Sequence, residues 1–443
     1  METLMKTLCI LACSLSCTSC HSTLEQALQS AGNNRSELEK VLTHYSGCPE
    51  KLEAARFLIE NMPAHYSYTP GVISGYYEYA DRILADTVLT PEQQRDSLLA
   101  VSDSRYSNLS DSIIPDACII SADYLIDNID RSYSLWTGCP WSGHITFQEY
   151  LEWLLPYKAC RFQEFDAWPD SLLASFGEGL ENPVRNDVEY NTVIGVSDML
   201  RREALEKTQR HGLYTRSGIP LLSARLLPRQ TFGNIHDYAL LATLLMRSAG
   251  IPAVLDRTPV GPRHTAATTW FVILDDRCRE QASEWDLSTN IGWGFFPYER
   301  GPKVYRDTYA IDRRCQEYSR KARYRYPFEL ARKDVTAKYF MTSDLEIPIN
   351  AQQRRILKDR YVYIECALKD STWQIVDFGR MKGRHAKFSD MGREVMYRIT
   401  GFDGDSLTAI SSPFILHKDG SMEYVSPDST VLPFYDRWKN RPL

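Results

Sequence analysis

The sequence predicts an α+β protein, with a mostly helical N-terminal region, a mixed core and a C-terminal β-sandwich-like domain. Three observations carry this reading. Helix-start spellings followed by apolar periodicity recur through residues 21–185. Residues 232–275 read as a helix, a buried extended run, a loop and a second strand. From Asp334 onward, short aromatic and β-branched runs are broken by turn spellings.

Taken in order, residues 1–20 read as a signal peptide. A lysine precedes an apolar run too short to span a bilayer. Cys20, after Thr18-Ser19, resembles the acylated cysteine of bacterial lipoproteins, although the usual Leu three places before it is Cys17. That resemblance implies a cell-envelope protein anchored to the outer membrane through lipid, with the membrane face left open. Helices are then expected at 36–44, at 51–61, from Thr90-Pro91-Glu92, at 119–129 and from the capping-box spelling Thr146-Phe147-Gln148-Glu149. A further helix is expected at 187–210, leading into a core domain that spans 186–298.

In that core Asn234 is suited to cap a helix, with Asp237 three residues on. Leu241, Leu244, Leu245 and Ala249 form an apolar stripe, Gly250 fits a left-handed stop, and Pro252 prevents continuation. Ala253–Arg257 and Thr268–Asp275 read as strands. Gly233, Asp237, Arg247, Gly250, Ile251, Pro252 and Trp270 keep the order of a Gly-x-Cys-x-Asp helix start, an Arg-x-x-Gly-Ile-Pro exit and a His-x-Trp strand. The stretch therefore resembles the transglutaminase-like branch of the papain-like cysteine enzymes. Phrases such as Phe57-Leu58-Ile59-Glu60-Asn61-Met62-Pro63 further resemble envelope lipoproteins of Bacteroidetes that carry such a domain.

The resemblance fails at the chemistry. Its nucleophile position is Ile235 and its base position is Thr268, leaving Asp286 as an orienting carboxylate with no imidazole to orient. A cysteine at a helix N-terminus gains thiolate character from the helix dipole and free amides. Isoleucine has no lone pair to offer, and threonine takes no proton near neutral pH. The expectation is a degenerate triad without catalysis, in a protein that binds a peptide or glycan. His236, Asp237, His264, Trp285 and Trp293 are the candidate binding residues, with Trp293 of Gly292-Trp293-Gly294 the most exposed. Two alternatives stay open: an active protease or acyltransferase using displaced residues such as His264 or Cys278, and a structural subunit of an envelope complex.

Residues 299–333 read as a charged linker in which Arg313, Arg314, Arg320, Lys321, Arg323 and Arg325 interleave with tyrosines. Such a patch suits sulfated or acidic glycans, but the interspersed acids favour a solvated face. The all-β domain, 334–443, is expected to contain strands at 361–367, 373–378, 394–399 and 413–416, with turns at Asp403-Gly404 and Asp419-Gly420.

The whole-chain composition sets bounds. The 443 residues suffice for two or three domains, and 43% hydrophobic with 24% charged content is ordinary for a globular protein. A net charge of −6 argues against general nucleic-acid binding. Beyond residue 20 the cysteines are Cys48, Cys118, Cys139, Cys160, Cys278, Cys315 and Cys366, in no zinc-like spacing, so no metal is expected. A disulfide among Cys118, Cys139 and Cys160, or scattered buried thiols, fits equally. No Gly-rich phosphate loop, His-Glu-x-x-His or Gly-x-Ser-x-Gly occurs, so no cofactor is expected.

Overall fold

The computed structural model describes residues 23–177, 180, 192–208, 220–230, 232–261, 267–283 and 300–425. The chain divides into two units, Met1–Val254 with Phe271–Trp293, and Leu255–Trp270 with Gly294–Leu443. The fold is α+β, helical toward the N-terminus and β-rich toward the C-terminus. Among the described residues no helix is long and apolar enough to cross a membrane, and Cys48, Cys118, Cys139, Cys160, Cys278, Cys315 and Cys366 are free thiols.

In the first unit the capping spellings act as written. Thr90 and Thr146 accept from the amides of Gln93 and Glu149, whose side chains accept from the two cap amides in return. The helix expected at 119–129 starts after Ser121 and runs Ala122–Gly138, because Ser132 continues the buried face begun by Leu125 and Ile129. A helix at Ser74–Ala85 has no side-chain cap to announce it. It forms because Tyr76, Tyr77, Ala80 and Leu84 bury one face.

The central helix is Ile235–Ser248. Asn234 Oδ1 accepts from the Asp237 amide at 3.0 Å, and the Asn234 amide donates to Asp237 Oδ2 at 2.9 Å. The predicted one-sided stripe is wider than the spacing suggests, since every residue from Tyr238 to Ser248 is buried. Gly250, at φ 83°, makes the left-handed stop. Arg247 is buried at the helix end, donating from Nε to the Ala253 carbonyl at 2.7 Å and from Nη1 to the Lys158 carbonyl at 3.1 Å. Burial lowers its guanidinium to about 10. Arg247 thus ties the helix exit to the following strand.

A second fixed point of this unit is an ion pair with no access to solvent. Lys158 Nζ lies 2.5 Å from Asp116 Oδ2, with side-chain exposures of 2% and 0%. Ser67 Oγ donates to Asp116 Oδ1 at 2.7 Å and the Tyr157 hydroxyl donates to Oδ2 at 2.9 Å. Lys158 donates also to the Tyr66 carbonyl at 3.2 Å. The node joins the strand pair Tyr66–Tyr68 and Ile113–Pro115 to the segment that follows Pro156.

The strands after residue 334 form one antiparallel sheet of eight, curled into a half-barrel. Its order is Met422–Tyr424, Phe414–Leu416, Val395–Phe402, Tyr361–Ala367, Trp373–Lys382, His385–Gly392 and Thr342–Pro348, with Leu407–Ala409 added on Val395–Phe402. The sandwich-like expectation is refined to a single sheet. Alternation says which face of a strand is buried but not whether a second sheet or the curl of the same one covers it. Register shifts at Ile375/Asp377 and Phe388/Met391 supply curvature. Leu345, Ile347, Val362, Ile364, Phe388, Ile399 and Phe414 fill the inside of the curl. The turns at Asp403-Gly404 and Asp419-Gly420 occur as spelled. Asp403 Oδ1 accepts from the amides of Asp405 and Ser406, and Asp419 Oδ1 from that of Ser421.

The stretch 299–333, read from sequence as a linker, is folded within the second unit. It contains the strand Tyr305–Asp307, the helix Arg313–Lys321 and the start of the strand Arg332–Asp334. Asp312 caps the helix, and Cys315, Tyr318 and Ala322 pack on Tyr361, Tyr363 and Phe378, covering the outer face of the sheet. Of the charges that suggested a linker, Arg313, Arg320, Lys321, Arg323 and Arg325 are exposed, whereas Arg314 reaches the buried Asp377 and lies over the Phe378 ring.

Lys158→Met should lower unfolding free energy by about 3–5 kcal/mol, because it leaves the Asp116 carboxylate buried without its cation. Adding Asp116→Asn should restore part of that loss. Urea unfolding of both variants measures this, and a Lys158→Met midpoint equal to wild type would show that the pair is not a determinant of stability.

Candidate functional site

The helix start whose nucleophile position reads as Ile235 is built by five consecutive residues, 233–237. Gly233 is buried, and a Cβ there would stand 3.3 Å from the Asp237 carboxylate and the Tyr238 ring, a tight fit that a side chain would enter only by shifting them by a few tenths of an ångström. Asn234 and Asp237 then occupy each other's amides, and Ile235 and His236, both half-buried, form the first turn. Ile235 therefore stands where helix amides and dipole favour an anion, yet it presents only hydrocarbon. Asp237 is committed to the cap.

Thr268 belongs to the other unit and is 7% exposed at the first position of the strand Thr268–Leu274, all of which is buried. Trp270 points into the core. Its indole N–H donates to the Tyr339 hydroxyl at 3.0 Å, and Tyr339 donates to Asp256 Oδ2 at 2.7 Å. Asp256 in turn holds Arg306 through Nε at 2.7 Å and Nη2 at 2.8 Å. Trp270 is thus one end of a buried hydrogen-bonded chain that ends on a bidentate ion pair.

Asp286, Trp285, Trp293, His264 and Cys20 lie outside the described residues. Cys278, the displaced nucleophile considered above, sits at φ 53° in the turn between Thr268–Leu274 and Glu280–Ser283. Its thiol is raised by burial first, then by the charges of Glu149 and Asp275. That is the opposite of what a thiolate nucleophile requires.

Sequence reasoning missed a pair of carboxylates in the segment after Lys158. Phe162 takes a left-handed conformation at φ 63°, its amide donates to the Tyr66 carbonyl at 3.1 Å, and its ring stacks on Tyr68 at 4.8 Å. This bend leads the chain into Glu164 and Asp166. Glu164 is raised to about 7 by burial first, then by the charge of Asp166, against Arg225. Asp166 is raised to about 6 by burial, opposed by the backbone amides of Arg225 and Ala224 and by the Arg225 charge. Those amides face the Asp166 carboxylate without well-formed hydrogen bonds, and both of its oxygens are buried. The pair is able to hold and release protons near neutral pH. Among the described residues no Ser, Thr, Cys or His side chain hydrogen-bonds to either carboxylate, so the geometry assembles no acid–base triad. The spelling Glu164-Phe165-Asp166 alone has no periodicity or motif that separates it from a solvated acidic loop.

Both groups bind protons more tightly in the folded chain than the roughly pH 4 of free carboxyls. The stability they contribute is therefore complete below about pH 4 and is lost as pH rises through about 6 and about 7. Glu164→Gln with Asp166→Asn should match wild type at pH 4 and melt higher than wild type at pH 8. Melting curves of the two proteins that stay parallel from pH 4 to pH 8 would contradict this assignment.

Comparison of the chain with family models, with curated proteins and with solved structures gave no match.

Proposed function

We propose that the chain is a non-catalytic binding protein of the cell envelope, with a transglutaminase-like helix start and a peptide or glycan as its ligand. The observation that supports this most directly is Ile235 at the first position of a helix whose cap is closed by Asn234 and Asp237. The fold prepares an anion-favouring helix terminus, and the residue there has no electrons to give. Thr268, buried at the start of its strand, supplies no base. The raised thiol of Cys278 weighs against the alternative of catalysis by displaced residues. In this reading the acylated Cys20 holds the protein at the outer membrane and the rest of the chain presents binding surface.

Wild type should show no amide hydrolysis or transamidation that iodoacetamide abolishes. Ile235→Cys with Thr268→His should place a thiol at the helix terminus that iodoacetamide alkylates roughly tenfold faster than Cys278, since the terminus favours the thiolate. Peptide mapping of alkylation rates reads this, and iodoacetamide-sensitive turnover by the wild-type chain would overturn the non-catalytic assignment.

The anchor is tested separately. Cys20→Ala, or globomycin treatment of the producing bacterium, should leave unprocessed precursor. Normal processing and release of the Cys20→Ala protein would remove the lipoprotein part of the proposal.

A further inference from the structure

The second unit contains a cavity of about 550 Å³ walled by Lys321, Arg323, Arg354, Lys358, Arg360 and Arg380. These cations come from separate pieces of backbone. Lys321 ends the helix Arg313–Lys321 and Arg323 follows it, while Arg354 is on the helix Ala351–Ile356. Lys358 and Arg360 lie on the link into the strand Tyr361–Ala367, and Arg380 pairs in register with Tyr361 from the neighbouring strand. The convergence is local, because the chain as a whole carries a net charge of −6.

The acids nearby do not neutralise it. Asp359, the one acid of the wall, is buried and accepts from four backbone amides, those of Arg323, Tyr324, Arg360 and Tyr361. Its carboxylate pins the wall in place. Glu317 bonds Lys321 and Arg380 through the same oxygen, at 2.8 Å each. Among the described residues Arg323, Arg354, Lys358 and Arg360 have no ion-pair partner.

An independent observation points into the same cavity. Tyr361 is 4% exposed and lines the cavity, and its hydroxyl is buried with no hydrogen-bond partner among the described residues. The charged groups that act on this hydroxyl are Glu317, Arg380 and Asp359. A buried hydroxyl normally finds a partner, and here neither nearby carboxylate accepts from it, since Glu317 bonds Lys321 and Arg380 and Asp359 holds backbone amides.

We propose that this cavity is a binding site for a sulfate or phosphate ester carried on a sugar-sized skeleton, with the guanidinium groups gripping the ester oxygens and the Tyr361 hydroxyl donating to one of them. Planar guanidinium forks match tetrahedral oxyanions in pairs of hydrogen bonds. The cavity falls within the size range of small-molecule sites. The site lies within the second unit and stands whether or not the helix start of the first unit is catalytic. The two readings therefore fail separately, one by ligand titration and the other by thiol alkylation.

Calorimetric titration of the full chain at low ionic strength should use galactose 6-sulfate, glucose 6-phosphate and the two parent sugars. Saturable binding of at least one ester, and not of its parent, is expected, and the tighter ester identifies the source of the anion. Arg354→Gln and Arg360→Gln, exposed positions without ion pairs, should each weaken ester binding about tenfold and flatten its salt dependence. Tyr361→Phe should weaken it about fivefold while the melting temperature holds or rises, an outcome that a purely structural tyrosine would not give. Esters that bind no better than their parent sugars, or wild-type affinity in the Arg354→Gln/Arg360→Gln double variant, would overturn the site. Unchanged affinity in Tyr361→Phe would remove the hydroxyl from it.

Discussion

A carboxylate that loses all contact with water must be matched in place by cations and donors, and this requirement shapes both units. Asp116 in the first unit meets Ser67 on one side of the sequence and the adjacent Tyr157 and Lys158 on the other. Asp377 in the second, also fully buried, lies 3.0 Å from Arg314 Nη2, with Arg332 at 3.6 Å and Lys303 at 3.9 Å. Asp256 is held by Arg306 and Tyr339. Replacing such pairs by apolar residues is often neutral for stability, but breaking one partner is expensive. Their effect is therefore to penalise alternative packings more than to add net stability. In the first unit this fixes where the segment after Lys158 leaves the core, and hence where Glu164 and Asp166 sit.

What was legible in the sequence is what short-range geometry decides. The reciprocal cap of Asn234 and Asp237, the capping boxes at Thr90 and Thr146, the left-handed stop at Gly250 and the Asp-Gly turns each involve residues within a few positions of one another. They appear in the structure as spelled. The helix Ser74–Ala85 was not legible because Ile73 precedes it where a capping side chain would signal a start. The strands Thr342–Pro348 and His385–Gly392 were not legible because their wet faces carry residues such as Asp344, Glu346, His385 and Lys387. Only their pairing with each other and with Trp373–Lys382 makes them strands.

The sites divide along the same line. Ile235 at the start of its helix could be read directly, since Asn234 and Asp237 fix that start locally. The basic cavity could be read only in part. Lys321 and Arg323 were visible as members of a charged, tyrosine-rich stretch, and the nearby acids argued for a solvated face. The partners that turn this stretch into a wall, Arg354, Lys358, Arg360 and Arg380, are brought to it by sheet register and by the amide bonds of Asp359. Glu164 and Asp166 were illegible for a related reason, since their behaviour comes from burial in the fold, and for Glu164 also from the charge of Asp166, rather than from their own spelling.

Two features of the cavity carry unequal weight as signs of a ligand. Exposed cations repel one another only weakly in water, by about 1 kcal/mol or less per pair near 4 Å, and salt screens them further. A cluster of exposed arginines and lysines can therefore persist with little cost and does not by itself demand a counterion. The hydroxyl of Tyr361 is different. Buried without a partner, it costs about 1–3 kcal/mol of desolvation that phenylalanine at the same place would avoid. Its ring already packs among Tyr318, Phe378 and Ile375, so the apolar requirement of the position is met without the oxygen. An acceptor entering the cavity would meet the hydroxyl and the cations together, recovering the hydrogen bond while placing negative charge where the field is most favourable. The orphaned oxygen is thus the feature that separates a built site from a merely basic surface.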